Sequence, residues 1–473
     1  MATESGPASA AMLTPQQIVE TALAASRSDG CIVVVNATGA ANVRWANNTV
    51  TTSGLATSLS WFVVAVHGRA AGTVEASAVD ATSVEAIAAV VLAAEASAES
   101  AAASGPARDA QPLVEGGADD GFADGPQEQA FEIFAPLLSG LSASFEAARS
   151  GERLLYGFAR HELTTTYLGS STGLRRRWVQ PTGTAEVNAK SSDLQRSSWV
   201  GAGTADFTDV DVQQMTDGLS QRLEWARRSI ELPPGRYDTV LPPTSVADFM
   251  IYLGWSAGAR QAREGRSVFS AADGATKIGE KITDRPLSLY SDPAEPGIES
   301  SPFLATGSSS EESSVFDNGI DLGRTELIAD GTVNALLQTR ASAAEYGEAF
   351  TPGAENLVLR GGDETRSLDQ LVGDLQRGLL VTSQWYIREV DPMTLLLTGL
   401  TRDGVYLVEN GEVAGVVNNF RFNMSPLDVL RRASDIGATE RCLSREWSDW
   451  FTRSAMPPIR VDGFNMSSVS KAQ

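Results

Sequence analysis

The N-terminal third alternates short apolar runs with polar turn residues, a pattern that predicts antiparallel β-strands. Thr38-Gly39 and Asn47-Asn48 are interpreted as turns between strands. The run 59–66 is apolar on both faces, which is typical of a central strand rather than an edge strand. The predicted strands of this antiparallel meander are 31–36, 42–46, 49–56, 59–66 and 72–77.

Helices are predicted before and after this meander. Thr14-Pro15 predicts a capped helix that ends near residue 27. Residues 81–104 contain eleven alanines, and Val84, Ile87, Val91 and Leu92 share a helical spacing. Further helices are predicted over 127–150 and 206–230, and a second set of strands over 154–168, 175–180, 184–190 and 195–201.

The domain limits follow from changes in composition. Residues 1–13 are small and polar, and are predicted to be disordered. The stretch 104–126 collects Gly, Pro and acidic residues, and is interpreted as an acidic, mobile loop inside an N-terminal domain of residues 14–232. Pro233-Pro234-Gly235 breaks the chain and separates a C-terminal domain of residues 235–473.

The C-terminal half predicts a β-rich domain. A strand over 237–241 leads into a helix over 246–263, and residues 273–318 are interpreted mostly as loop. Asp403-Gly404 and Asn410-Gly411 predict hairpin turns in a meander of strands 394–400, 405–409 and 413–417, followed by a helix over 426–436. The fold class is therefore predicted as α+β in two domains: an antiparallel sheet with flanking helices, then a mixed, barrel-like sheet.

Charge and composition narrow the classes of function. The 473 residues include 37 Lys and Arg against 59 Asp and Glu, a net charge of −22, which argues against binding to nucleic acids or anionic membranes. The N-terminus does not resemble a signal peptide, and the apolar runs are too short for a membrane span, so a cytoplasmic protein is expected. Two cysteines exclude a disulfide framework and a four-thiolate metal site.

The candidate catalytic residues are few. The two histidines are His67 and His161, and the sequence His161-Glu162-Leu-Thr-Thr-Thr lacks the second histidine of a zinc helix. Both are interpreted as structural. Arg175-Arg176-Arg177 could bind a carboxylate or an acidic partner, or could balance local charge, and the second interpretation is favoured. Cys442 lies near Arg441 and Arg445, which could lower the thiol pKa, although a structural thiol is the favoured interpretation.

Several segments resemble the TldD/TldE (PmbA) peptidase family. They are Arg44-Trp45-Ala46-Asn47-Asn48, the strand at Gly72, Phe249-Met250-Ile251-Tyr252-Leu253-Gly254-Trp255-Ser256-Ala257-Gly258 with the following Gly265-Arg266-Ser267-Val268-Phe269-Ser270, Phe316-Asp317-Asn318-Gly319, the stretch 391–399, and Ile459-Arg460-Val461. In the zinc-binding member of the family, the corresponding helix carries HExxxH, in which two histidines bind zinc and the glutamate serves as general base. An alignment on Gly265–Ser270 places Met250 and Trp255 at the histidine positions and Ile251 at the glutamate position.

The resemblance implies a TldE-like subunit that holds no metal or cofactor of its own. It further implies a heterodimer in which a TldD-type partner supplies zinc and the pair degrades or trims unstructured peptides, which bind in an extended form. This chain would form part of the peptide chamber and support the partner. Two alternatives stay open: an autonomous hydrolase that uses Cys442, and a non-enzymatic peptide-binding or scaffold protein.

Overall fold

The computed structural model describes residues 13–353 and 355–470, so the predicted disorder of residues 1–12 lies outside the described part of the chain. Short 3-10 helices occupy Ala78–Ala81, Phe131–Phe134, Ala272–Gly274 and Val315–Asp317. The α-helices are α1 (Pro15–Ala25), α2 (Val84–Ala103), α3 (Ala135–Ser150), α4 (Val212–Trp225), α5 (Pro243–Trp255), α6 (Ala259–Arg263), α7 (Arg340–Tyr346), α8 (Leu368–Gly373) and α9 (Pro426–Arg431).

The N-terminal sheet is antiparallel throughout, as the sequence predicts. Its strands are β1 (Gly30–Ala46), β2 (Thr49–His67), β3 (Ala70–Ser77), β4 (Arg153–Ser170), β5 (Arg175–Ser191) and β6 (Ser197–Thr204). Their hydrogen-bonding order is β3-β2-β1-β4-β5-β6, so the run 59–66 lies in an interior strand, as predicted. Asn47 and Asn48 both have positive φ, which confirms the turn between β1 and β2.

The predicted turn at Thr38-Gly39 is wrong, because both residues lie inside the single long strand β1. Thr38 pairs with Thr164 and Gly39 with Leu163 of β4, so the ladder continues through them. A Cβ at Gly39 would lie 2.5 Å from Gln129, so this glycine allows close packing of a neighbouring segment. The strands predicted as 49–56 and 59–66 likewise form one strand, as do 175–180 and 184–190.

Helix α2 confirms the prediction of an alanine-rich helix, and two of the four predicted face residues, Ile87 and Val91, are buried. The buried residues are Ile87, Val91, Ala94 and Ala98. The predicted face residues Val84 and Leu92 are exposed. A Cβ at Gly72 of β3 would lie 2.2 Å from the backbone nitrogen of Ala98, so the helix backbone rests directly on the sheet. By length and composition alone, α2 is the one helix of the described residues that could cross a membrane.

Helices α3 and α4 are shorter than predicted. The helix predicted over 127–150 begins as a 3-10 turn at Phe131 before α3. Asp211 caps α4 by accepting a hydrogen bond from the Gln214 backbone N–H, 2.9 Å away, and α4 ends at Trp225. Residues Ser229–Ile230 then form strand β7, which pairs with a strand of the C-terminal half.

Two sheets build the C-terminal domain. One has the order β11-β10-β9-β12-β21-β20, and the other has the order β14-β15-β18-β22-β8-β13-β16-β17-β7, with β19 paired to β22. Parallel and antiparallel pairs occur in both sheets. The strands are β8 (Gly235–Leu241), β9 (Ser288–Ser291), β10 (Thr325–Ala329), β11 (Thr332–Val333), β12 (Leu357–Arg360), β13 (Arg377–Val381), β14 (Gln384–Asp391), β15 (Leu396–Thr401), β16 (Val405–Glu409), β17 (Glu412–Val417), β18 (Phe420–Met424), β19 (Ala433–Ile436), β20 (Glu440–Cys442), β21 (Ser454–Met456) and β22 (Ile459–Val469). The predicted α+β class with a mixed C-terminal sheet is confirmed.

Three predictions in this half need correction. The helix predicted over 246–263 breaks between α5 and α6, because Ala257 and Ala259 exchange backbone hydrogen bonds with Leu337 instead. The Asn410-Gly411 hairpin is confirmed, but β15 pairs with β14 and β18, and β16 pairs with β13 and β17, so Asp403-Gly404 is not a hairpin turn. The helix predicted over 426–436 stops at Arg431 and continues as β19.

Candidate functional site

Helix α5 runs through the core of the C-terminal domain. Pro243 occupies its first turn, where the missing N–H is tolerated, and the Ser245 hydroxyl donates to the Val381 carbonyl, 2.9 Å away. Met250 and Ile251 are fully buried among apolar side chains. Trp255 ends the helix and is 41% exposed. The three positions predicted from the sequence to match HExxxH therefore comprise two core residues and one surface aromatic residue.

An open groove begins at the end of α5, and we call it the α5 groove. It encloses about 570 Å³ between α5, β14 and the segment that follows β20. Trp447 forms its aromatic wall, with its ring centroid 5.1 Å from that of Trp255 and 5.7 Å from that of Tyr252. The Trp447 indole N–H donates to the Asp248 backbone carbonyl, 3.0 Å away, which fixes the wall to the helix. Arg266, Arg388 and Glu389 add charged groups to the lining.

Strand β14 is the edge of the large sheet beside this groove. It pairs with β15 on one side and stands first in the strand order of the described residues. Tyr386 has a positive φ of 56°, and its backbone N–H donates to the Glu446 carboxylate, 2.8 Å away. Arg388 also contacts Glu446, at 3.0 Å. Trp385, Tyr386, Val390 and Met393 are exposed along this edge. The Ile387 backbone N–H donates to the same carboxylate, 3.0 Å away, so Glu446 already occupies two N–H groups of this strand. Beyond β14 the described residues place no further strand in the sheet, and an extended chain can add at such an edge.

Asp248 is a buried carboxyl group one turn into α5. Its Oδ1 accepts a hydrogen bond from the Glu446 backbone N–H, 3.0 Å away. Its Oδ2 has no hydrogen-bond partner among the described residues. Burial, together with the nearby Glu446 carboxylate, raises the pKa of Asp248 well above its usual range. Asp248 therefore joins α5 to the segment bearing Trp447.

Cys442 lies at the end of β20, with its Sγ 3.5 Å from the Ser454 hydroxyl. Burial raises the pKa of its thiol to about 12. Arg445, whose proximity in sequence suggests thiolate stabilisation, instead donates to Ser383 at 2.6 Å and to Asp403 at 3.0 Å, and it lies over the rings of Trp199 and Trp385. A thiol in this environment lacks the ionised form that a nucleophile requires.

The two histidines lie away from the α5 groove. His161 is a buried residue of β4, and its ring nitrogens lie 2.6 Å from the Gln129 side-chain oxygen and 2.7 Å from the Ala205 carbonyl. Burial lowers the pKa of His161. His67 is exposed at the end of β2. Both histidines therefore occupy strand positions, as the sequence predicts.

The described residues provide no group of three or more His, Cys, Asp and Glu side chains that could hold a metal ion. The chemistry at the α5 positions is consistent with this: Met250 and Ile251 face the core, and an indole does not ligate zinc. The zinc ion implied by the family resemblance does not fit the residues that this helix carries.

The Arg175–Arg177 triplet anchors the acidic stretch 104–126, which contains no helix or regular strand. Arg175 pairs with Glu20 at 2.6 Å, and Arg176 pairs with Asp119 at 3.2 Å. Arg177 donates to the Gly125 carbonyl at 2.8 Å. These contacts support the interpretation that the triplet balances local charge.

Sequence reasoning missed Asp248, Glu446 and Trp447. The available signal was a single acidic residue, Asp248, in the otherwise uncharged helix 243–255. Glu446 and Trp447 carried no such signal. They contact α5 only because the fold brings their segment, almost 200 residues later in the sequence, against this helix.

Comparison with known proteins agrees with this architecture. Residues 234–468 match the sequence profile of the PmbA/TldA metallopeptidase C-terminal domain. Relatives named "Metalloprotease" in Methanothermobacter thermautotrophicus and Archaeoglobus fulgidus are 24% identical over 279 and 211 residues, which are 54% and 42% of this chain and 56% and 45% of those proteins. The chain thus spans about half the length of the curated relatives it matches.

Solved structures match over a larger share of the chain. TldE from Thermococcus kodakarensis superposes with a TM-score of 0.75 and 16% identity, over 95% of this chain and 99% of that one. A protein of Bacteroides thetaiotaomicron, described as a candidate modulator of DNA gyrase, has a TM-score of 0.74 and 14% identity, over 96% and 98% of the two chains. At this identity the likeness establishes the fold.

Proposed function

Because this chain carries the C-terminal domain of the PmbA/TldD family and has the fold of TldE throughout, we propose that it is a TldE-like subunit of a heterodimeric metallopeptidase. Its partner is a TldD-type subunit that holds the catalytic zinc. The pair cleaves unstructured peptides in the cytoplasm, and this chain contributes a wall of the peptide chamber.

The observation that carries this proposal is the composition of α5. Helix α5 lies in the core, and the alignment predicted from the sequence puts Met250, Ile251 and Trp255 at the positions of the two histidines and the glutamate of the zinc-binding member. None of these side chains can hold zinc or transfer a proton at neutral pH. A helix that retains its packing without its chemistry fits a subunit that depends on a catalytic partner.

The α5 groove supports a role in binding peptides. Its edge strand β14 presents backbone groups to an extended peptide, and Trp255 and Trp447 offer apolar surface to side chains. Binding of this kind depends on backbone hydrogen bonds and tolerates many sequences. It also excludes folded substrates, because their backbone groups are already paired.

The alternatives have weaker support. A cysteine hydrolase would need a thiolate at Cys442, and burial holds the pKa of that thiol at about 12. A scaffold protein that binds peptides without a catalytic partner could have the same groove. The experiment must therefore test whether this chain binds a TldD-type partner.

The test is reconstitution with a purified TldD-type protein and an unfolded substrate such as casein. We expect the isolated chain to leave the substrate intact, and the mixture to cleave it and to elute as one complex in gel filtration. Failure of the two proteins to co-elute would favour the scaffold function. Cleavage by the isolated chain would refute the proposal.

A further inference from the structure

A second cleft separates the open face of the N-terminal sheet from the loop that contains Phe303. It encloses about 440 Å³ and shares no lining residue with the α5 groove. Strands β1 and β4 contribute threonine hydroxyls, β5 contributes Trp178 and Thr182, and the C-terminal domain contributes Phe303 and Arg453. Its volume falls within the range of pockets that bind small ligands.

Arg453 is the cation of this cleft, and its charge is poorly compensated. Its side chain is only 14% exposed, and one terminal N–H group donates to the Thr182 hydroxyl. The other terminal nitrogen lies 3.7 Å from the Glu355 carboxylate, which is 71% exposed. A long contact with an exposed carboxylate stabilises a charge weakly. Burial lowers the pKa of Arg453 because it disfavours the charged form of the guanidinium. An anion closer than Glu355 would stabilise that charge.

The rest of the lining suits peptide amides. The hydroxyls of Thr38 and Thr164 lie 2.9 Å apart, and the Thr166 hydroxyl donates to the Asn36 side chain, 2.8 Å away. Each hydroxyl can both donate and accept, so this row can satisfy either group of a peptide bond. Trp178 and Phe303 provide aromatic surface beside it.

We propose that this cleft binds the C-terminal end of a short peptide, with the peptide carboxylate on Arg453 and its amides over the threonine hydroxyls. A guanidinium with free N–H groups matches a carboxylate in a two-point contact. The ligand carboxylate replaces Glu355 as the partner of Arg453. The site is separate from the α5 groove and does not depend on any catalytic assignment.

The test compares two probes by titration calorimetry on the full chain: N-acetyl-trialanine with a free carboxylate, and the same peptide as its C-terminal amide. We expect the acid to bind at least about ten-fold more tightly than the amide, the difference of about 1.4 kcal/mol that loss of a charge-assisted contact gives. Equal binding of acid and amide would overturn the proposal. Inorganic phosphate that binds wild type as tightly as the acid would also overturn it, since the site would then hold any anion.

Three variants identify the residue responsible. Arg453→Gln should lose at least about ten-fold in affinity for the acid, whereas Glu355→Gln should bind it more tightly, because the competing carboxylate is gone. Arg377→Gln is the matched control: this arginine is 68% exposed and lies outside the cleft, so its affinity should equal that of wild type. An unchanged affinity in Arg453→Gln, or a weaker one in Glu355→Gln, would contradict the proposal. If Arg453→Gln fails to fold, the Glu355→Gln variant and the comparison of the two peptide probes still test the proposal.

Discussion

At the scale of single residues, Asp248 is the most unusual group near the candidate site. It is fully buried, and one carboxyl oxygen has no partner among the described residues. Its role is structural, because the other oxygen accepts from the backbone at Glu446 and so places Trp447 against α5. A carboxyl group whose pKa is higher in the folded than in the unfolded state makes folding sensitive to pH.

Asp248→Asn should therefore change how stability depends on pH. The pKa of Asp248 is raised in the folded state, so its contribution to stability is complete below the ordinary aspartate pKa of about 3.9 and is lost as pH rises towards the folded value. As pH rises above about 4, urea denaturation should show wild type losing unfolding free energy relative to Asp248→Asn.

The control for this measurement is Asp363→Asn. A hydrogen bond from the Thr365 side chain lowers the pKa of Asp363, so this variant should lose stability at pH values above 4. If wild type and Asp248→Asn keep a constant difference as pH rises, Asp248 does not titrate as described.

The two thiols should be unreactive in the native protein. Burial raises the pKa of Cys31 to about 11 and that of Cys442 to about 12, so the thiolate fraction at pH 8 is negligible. We expect both thiols to resist DTNB in the native chain and to react together after denaturation. Rapid labelling of Cys442 in the native state would support the alternative function as a cysteine hydrolase.

At the scale of secondary-structure elements, the sequence predicted which segments form helices or strands better than it predicted where each one begins and ends. The alanine pattern of α2, the capping residue Thr14 and the turn residues Asn47-Asn48 are local signals, and the structure agrees with them. The strand β1 passes through Thr38-Gly39 because β4 pairs with it, and α5 ends where Leu337 takes over its hydrogen bonds. Such endings are set by distant segments and leave no local signal.

The end of α5 should matter for peptide binding in the reconstituted complex. Trp255→Ala removes an exposed indole from the α5 groove, and its loss should weaken peptide binding by about 1 kcal/mol, a rise in KM of roughly five-fold. Trp450→Ala is the matched control, because Trp450 is 80% exposed and does not line the groove.

Steady-state kinetics on an unfolded peptide compares the two variants. A KM for Trp255→Ala equal to that of wild type, or equal changes in both variants, would place the peptide elsewhere.

At the scale of the whole molecule, the fold class and the order of the two domains follow from the sequence, whereas the contacts between the domains do not. Arg445 illustrates the difference: its position near Cys442 suggested an activated thiol, yet it joins Asp403 of the C-terminal domain to Trp199 of the N-terminal sheet. The cleft at Arg453 is likewise formed by residues from both domains. Met250, Ile251 and Trp255 could be proposed as degenerate motif positions from the sequence, because the motif of the resembled family fixes their spacing.

Our central proposal is that this chain, which has the fold of TldE, is a peptidase subunit without the ligands for a zinc ion. Its most direct test is the metal content of the dialysed chain, alone and in complex with a TldD-type partner, measured by inductively coupled plasma mass spectrometry. We predict no stoichiometric zinc in the isolated chain and about one zinc per heterodimer, the content of a single catalytic site. Stoichiometric zinc in the isolated chain that survives dialysis would contradict the account.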